Sequence, residues 1–150
     1  MFFIISLQAC GNKASNTSEK DSTISRSHEE FVDRIPGPVD ILYFKKPFTD
    51  SVRYTRFYKV TQSTDSVFFE SLKRALAQHH QKLEAPRKCL SEGKIQIPLG
   101  GDAFKVVYFS RAETGCNYLY IIQDGAFLYY EMPADVNRYL IELEKQSKDL

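Results

Sequence analysis

Tryptophan is absent from this 150-residue chain, and glycine (7), proline (6), cysteine (3) and histidine (3) are all scarce. So little glycine and proline excludes a collagen-like or low-complexity polymer. No apolar run approaches the roughly 20 residues that a membrane-spanning helix needs. Charge of one sign is missing too: 20 Lys and Arg stand against 19 Asp and Glu, a formal net charge of +1. No strong field therefore draws the chain to nucleic acid, anionic membrane or acidic substrate. The basic and aromatic run from Arg53 to Lys59 imitates a nucleic-acid-binding sheet, but the neutral balance speaks against that partner.

The motifs of common catalytic sites are missing as well. There is no Gly-x-Ser-x-Gly, no phosphate-cradling glycine loop and no His-Glu-x-x-His, so neither a catalytic set nor a cofactor is expected. Zinc lacks a Cys-x-x-Cys or a histidine near Cys89 or Cys116, and no metal site is expected. His79 and His80 are adjacent, which on a helix turns them about 100° apart and makes them poor joint ligands. Gly100-Gly101-Asp102 invites comparison with a nucleotidyl cyclase, yet a tight turn explains the two glycines.

What is present is the balance of a soluble domain: 43% hydrophobic, 13% aromatic and 26% charged residues. A chain of this length buries roughly two thirds of its unfolded surface, enough for one core without a metal or partner. The N-terminus reads differently. Met1-Phe2-Phe3-Ile4-Ile5-Ser6-Leu7 is a short apolar run followed by Leu7-Gln8-Ala9-Cys10-Gly11. This pattern resembles the lipobox of bacterial lipoproteins, with Leu three residues before a Cys and a small residue just before it. The resemblance covers about a dozen residues and implies cleavage after Ala9, a diacylglyceryl thioether on Cys10 and a further acyl chain on the new amine. Several acyl chains anchor a protein stably where one does not. It also implies a bacterial envelope location, at the outer membrane facing the periplasm or the cell surface. No Lys or Arg precedes the run, which is shorter than the usual h-region of about 7–15 residues; the expected translation start is upstream.

Residues 1–9 are thus expected to be a signal peptide, 10–38 a lipidated tether and 39–150 a single domain. Gly11 to Glu30 is rich in Ser, Thr, Asn, Lys and Glu, with Ile24 as its one large apolar residue. A flexible run of about 25 residues reaches roughly 25–30 Å. The sequon Asn16-Thr17-Ser18 carries no weight in such a setting. Pro36-Gly37-Pro38 marks the hinge, and all nine tyrosines lie between Tyr43 and Tyr139.

Within the domain, 39–44 and 52–60 read as strands. In the second, Arg56 falls among Val52, Tyr54, Tyr58 and Val60 on one face. Val67 to Leu83 reads as a helix capped by Thr64 or Asp65, with Phe68, Leu72, Ala75, Leu76, His79 and Leu83 on one stripe. A second helix follows Pro133, with Val136, Tyr139, Leu140 and Leu143 on its apolar side. Gly100-Gly101 and Asp124-Gly125 are two-residue turn signals. The first predicts Ile97 opposite Phe104, Ile95 opposite Val106 and Gln96 opposite Lys105. The second predicts Ile121 opposite Leu128 and Leu119 opposite Tyr130 on one face, with Ile122 opposite Phe127, Tyr120 opposite Tyr129 and Tyr118 opposite Glu131 on the other. The expected fold is α+β: an antiparallel sheet of about six strands, both helices on one face, in the order ββαββββα.

With Cys10 assigned to lipid, Cys89 and Cys116 remain as an even pair in an oxidising compartment. Both precede strands at the end of the sheet away from the tight turns, so a disulfide is sensible, contributing on the order of 3 kcal/mol. Buried free thiols, or a catalytic thiol, are the alternatives. Tyr118, Tyr120, Ile122, Phe127 and Tyr129 form an apolar sheet face that the helices do not occupy. Either it is open to a partner or the segment from Phe31 to Phe48 folds over it. The expected function is a non-enzymatic, lipid-anchored binding or interaction module, with an inhibitor or immunity protein as one variant of it, and with an envelope protein or small ligand as partner. The alternatives are an envelope hydrolase using carboxylates such as Glu131 on cell-wall or glycan material, which needs a second carboxylate across the sheet, and a structural component of envelope assembly.

Overall fold

The computed structural model describes residues 38–44, 58–111 and 116–149. The strands are β1 (Val39–Phe44), β2 (Tyr58–Ser63), β3 (Gln81–Leu83), β4 (Gly93–Gly100), β5 (Ala103–Ser110), β6 (Tyr118–Gln123), β7 (Ala126–Glu131) and β8 (Lys148–Asp149); the helices are α1 (Ser66–Leu76) and α2 (Ala134–Gln146). The strands form one antiparallel sheet in the order β3-β7-β6-β5-β4-β1-β2-β8. The fold is α+β, as expected. The two strands beyond the expected six are β3 and β8, three and two residues long, and they form the two edges. Short edges present few unpaired backbone groups to another chain.

Alternation decides which side of the sheet is buried. Val39, Ile41 and Tyr43 of β1, Ile95 and Ile97 of β4, Val107 and Phe109 of β5, and Leu119 and Ile121 of β6 share one core with Phe68, Leu72 and Leu76 of α1 and Val136 and Leu140 of α2. Both helices therefore lie on one face. Asp65 caps α1, its Oδ1 accepting hydrogen bonds from the Val67 N–H (2.7 Å) and the Phe68 N–H (3.3 Å), which satisfies two of the donors that a helix start leaves free. Tyr139 of α2 stacks on Phe68, with ring centroids 4.6 Å apart, and Ser71 donates to Asp135 Oδ2 at 2.6 Å.

Two expectations are corrected. α1 stops at Leu76 instead of running to Leu83. Leu76 is its last contact with the core, and Gln81–Leu83 then pairs with Phe127–Tyr129, giving the backbone of β7 ladder partners that a longer helix could not supply. His79 and Leu83 consequently lie outside the helix; His79 is exposed, while the half-buried His80 packs 5.4 Å from the Tyr130 ring.

The first hairpin is one residue out of the expected register. Ile97 faces Lys105, Ile95 faces Val107, Gln96 faces Val106 and Pro98 faces Phe104, with an irregularity between Pro98 and Gly100. Gly100 pairs with Ala103, so the turn residues are Gly101 and Asp102. Gly100 (φ 104°) serves the irregularity and Gly101 (φ 58°) the turn, both conformations that glycine adopts without penalty. A one-residue slip reverses the sides of a strand, so Val107 and Phe109 point into the core and Phe104 and Val106 point away. The second hairpin has all five expected pairs, with Asp124 (φ 50°) and Gly125 (φ 79°) both left-handed at the turn.

Opposite these turns the sheet ends in an ion cluster that the sequence did not announce, with the Glu92 and Arg111 side chains buried and Glu144 half-exposed. Glu92 Oε2 accepts from Arg111 Nη2 at 3.1 Å, and the same nitrogen donates to Glu144 Oε2 of α2 at 2.7 Å. The guanidinium lies 5.2 Å from the Phe109 ring and 5.5 Å from the Tyr43 ring. Nearby, the Tyr43 hydroxyl donates to the Leu140 carbonyl at 2.8 Å.

Candidate binding face

The face away from the helices carries a row of rings across β5, β6 and β7. Period-2 alternation puts Tyr108, Tyr118, Tyr120, Ile122, Phe127 and Tyr129 on it, and the cross-strand pairs Tyr108 with Tyr120, Tyr120 with Tyr129, and Ile122 with Phe127 bring them together. Tyr108 and Tyr120 are stacked at 4.9 Å with an interplanar angle of 14°. Tyr120 leans on Tyr129 at 5.3 Å, and Tyr118 meets Tyr129 edge-on at 5.0 Å. Such pairs contribute beyond the area they bury. Burial pushes the Tyr120 phenol up to about 12, and burial followed by the neighbouring Tyr129 raises Tyr118.

The five residues expected to form one open face are divided by their cover. Tyr118 and Tyr129 are only 3% and 4% exposed, Tyr120 and Phe127 are half-buried, and Ile122 is 47% exposed. What covers the first two is the connection from β3 to β4. Arg87 lies 5.0 Å from the Tyr118 ring and 4.7 Å from the Tyr129 ring, and its backbone N–H donates to the Tyr129 hydroxyl at 2.8 Å. Cys89 and Cys116 form a disulfide with their Cα atoms 5.7 Å apart, so neither is a free thiol. Leu83, Cys89, Cys116, Tyr118 and Tyr129 belong to a small second core beneath this connection. The proposed cover by Phe31–Phe48 falls largely outside the described residues, as do Cys10, the tether and Arg56.

The sequence reading missed Tyr108, Phe104 and Arg87. With Gly100-Gly101 as the turn, Tyr108 would have faced the helices; the observed register turns it outward. Phe104, 51% exposed, lies on the same outward side near the turns. Arg87 looked like any loop arginine, and nothing in the sequence tied it to Tyr118 and Tyr129.

Elsewhere, a groove of about 320 Å³ between the helices is lined by Val67, Phe68, Ser71, Asp135, Arg138, Tyr139 and Glu142. The Ser71 hydroxyl, followed by the Val136 N–H and Arg74, holds the Asp135 carboxyl below the usual carboxylate range. Arg74 Nη2 donates to Ser71 Oγ at 3.0 Å, so this serine is tied between two charged partners. Glu131 is exposed at the end of β7, with Tyr118 opposite it across the strands. Among the described residues no group of three or more His, Cys, Asp or Glu could hold a metal ion, and no helix is long and apolar enough to cross a membrane. No family model matches the chain, no curated protein sequence matches it and no solved structure matches its fold.

Proposed function

We propose that the protein is a non-enzymatic interaction module, held at a bacterial envelope membrane through lipid on Cys10, that contacts another envelope protein through the open half of its aromatic face. The observation that carries this reading is the run of half-exposed rings at Tyr108, Tyr120 and Phe127, continuing into exposed Ile122 and Phe104. Tyr108 and Tyr120 stack face to face, so the two half-buried rings stand side by side as one block on this face. Tyrosine rings give a large amphipathic contact area at small entropic cost, a property of protein-binding surfaces. The disulfide and the ring contacts fix the arrangement before binding, which lowers the ordering cost of association.

The test has two arms in the lipidated full chain. Cys10→Ser should move the protein from the membrane to the soluble fraction; equal membrane retention removes the anchor. Ile122→Asp with Phe104→Asp should abolish capture of an envelope protein from detergent-solubilised membranes while the melting temperature changes little, because exposed positions usually shift stability by less than about 0.5 kcal/mol. Undiminished capture by that double variant removes the face.

A further inference from the structure

The connection between β3 and β4 has an unusual task. β3 sits at the sheet edge beside β7, and β4 lies beyond β6 and β5, so the chain must cross four strand spacings, about 19 Å. It does so on the side that carries the rings. Of the seven residues from Glu84 to Leu90, Glu84, Ala85, Pro86, Lys88 and Leu90 are exposed, and only Arg87 and Cys89 are half-buried. The crossing therefore rests on the face at two points. One is Arg87, against Tyr118 and Tyr129; the other is the disulfide to Cys116. Its ends are fixed separately, by the three ladder pairs of β3 and by the Glu92 N–H donating to the Phe109 carbonyl at 2.9 Å.

We infer that Glu84–Leu90 is a redox-latched strap: the Cys89–Cys116 disulfide holds it over Tyr118 and Tyr129, and reduction releases it, joining these two rings to the open row of Tyr108, Tyr120 and Phe127. The covered and open rings belong to one contiguous set of contacts, so lifting the strap enlarges an existing surface. The latch is separate from the main core, which contains neither cysteine. Local opening of this kind involves segments with few buried contacts and few backbone hydrogen bonds. No backbone-to-backbone hydrogen bond forms within Glu84–Leu90.

The reductant is a dithiol, such as the active-site pair of a thioredoxin-like protein. Its thiolate attacks the sulfur of Cys89, the half-buried residue of the pair, Cys116 being buried. A mixed disulfide forms, and the Cys116 thiolate leaves and takes up a proton. The second thiolate of the reductant then attacks the mixed disulfide and expels the Cys89 thiolate, which is also protonated. Two electrons pass to the protein, and the dithiol ends as a disulfide.

The inference uses the binding reading for its purpose but is tested without it. Tyrosine nitration of the full chain is mapped by mass spectrometry before and after reduction with dithiothreitol, and in the double variant Cys89→Ser, Cys116→Ser without reductant. Tyr118 and Tyr129 should gain about tenfold or more in reactivity on reduction and in the variant. Tyr43 and Tyr130, in the main core, should stay protected throughout. Unchanged protection of Tyr118 and Tyr129 would show that Arg87 alone secures the strap and overturn the inference. Parallel exposure of Tyr43 and Tyr130 would overturn it as well, making the disulfide a staple of the entire fold. Neither result depends on partner capture, so this inference and the binding reading fail separately.

Discussion

A methyl group at position 93 has nowhere to go. Gly93 opens β4 between Tyr43 of β1 and Phe109 of β5, and a Cβ there would collide with the Leu42 carbonyl oxygen and the Phe109 ring. The ring fills the space that a side chain would take, so the glycine is required by close approach. The Leu42 oxygen belongs to backbone and cannot rotate aside. Gly93→Ala should therefore cost about 1–3 kcal/mol, the range for overpacking a core, and lower the melting temperature by several degrees. A thermal melt unchanged from the natural chain would show that β1 and β4 can separate freely at this point. At the same scale, Arg87 shows why part of the candidate site was illegible. Tyr118, Tyr120, Ile122, Phe127 and Tyr129 follow from one turn and a period of two, whereas Arg87 reaches the rings through a connection whose path depends on strand order. No local pattern encodes that order.

Among the elements, legibility depended on how many conformations a segment could satisfy. Asp124-Gly125 has one reading, because both residues accept a left-handed backbone, and every pair of its hairpin follows from it. Gly100-Gly101-Asp102 contains two overlapping turn signals, Gly-Gly and Gly-Asp, one residue apart. Burial on the inner face selects the second. Leu83 was ambiguous in another way: it continues the helical stripe of α1 by spacing, yet pairs with Phe127 as a strand residue. The demand of β7 for ladder partners outweighs the weak helical preference there. The hairpin register can be checked directly. Val107 is fully buried and Val106 half-buried, so Val107→Ala should cost about 2 kcal/mol by lost burial and cavity formation. Val106→Ala should cost less than about 1 kcal/mol. The reverse ranking in chemical denaturation would restore Gly100-Gly101 as the turn.

For the whole molecule, the sheet divides its work between two faces, and the tyrosines report on both. Tyr43 and Tyr130 lie within the helix-covered core, where burial pushes both phenols far above the ordinary tyrosine value; Tyr120 on the other face is raised to about 12 by the same cause. Each folded-state value is higher than the unfolded value near 10. Stability from keeping these phenols neutral is thus complete below about pH 10 and is lost as pH rises from there through the folded values, because the unfolded chain sheds the protons first. The loss amounts to at most about 1.4 kcal/mol per phenol for each pH unit. The Tyr43 and Tyr130 phenolates should accordingly appear in the absorbance only as the fold melts. Tyr43→Phe separates the two roles of its hydroxyl. At neutral pH it loses the hydrogen bond to the Leu140 carbonyl and should be less stable by about 1 kcal/mol. Above pH 10 it no longer has that proton to shed, so its stability should fall less steeply than that of the natural chain, and the two curves should converge. Parallel stability curves for the two proteins up to pH 12 would show that Tyr43 ionises in the folded state and that the helix-covered face admits water.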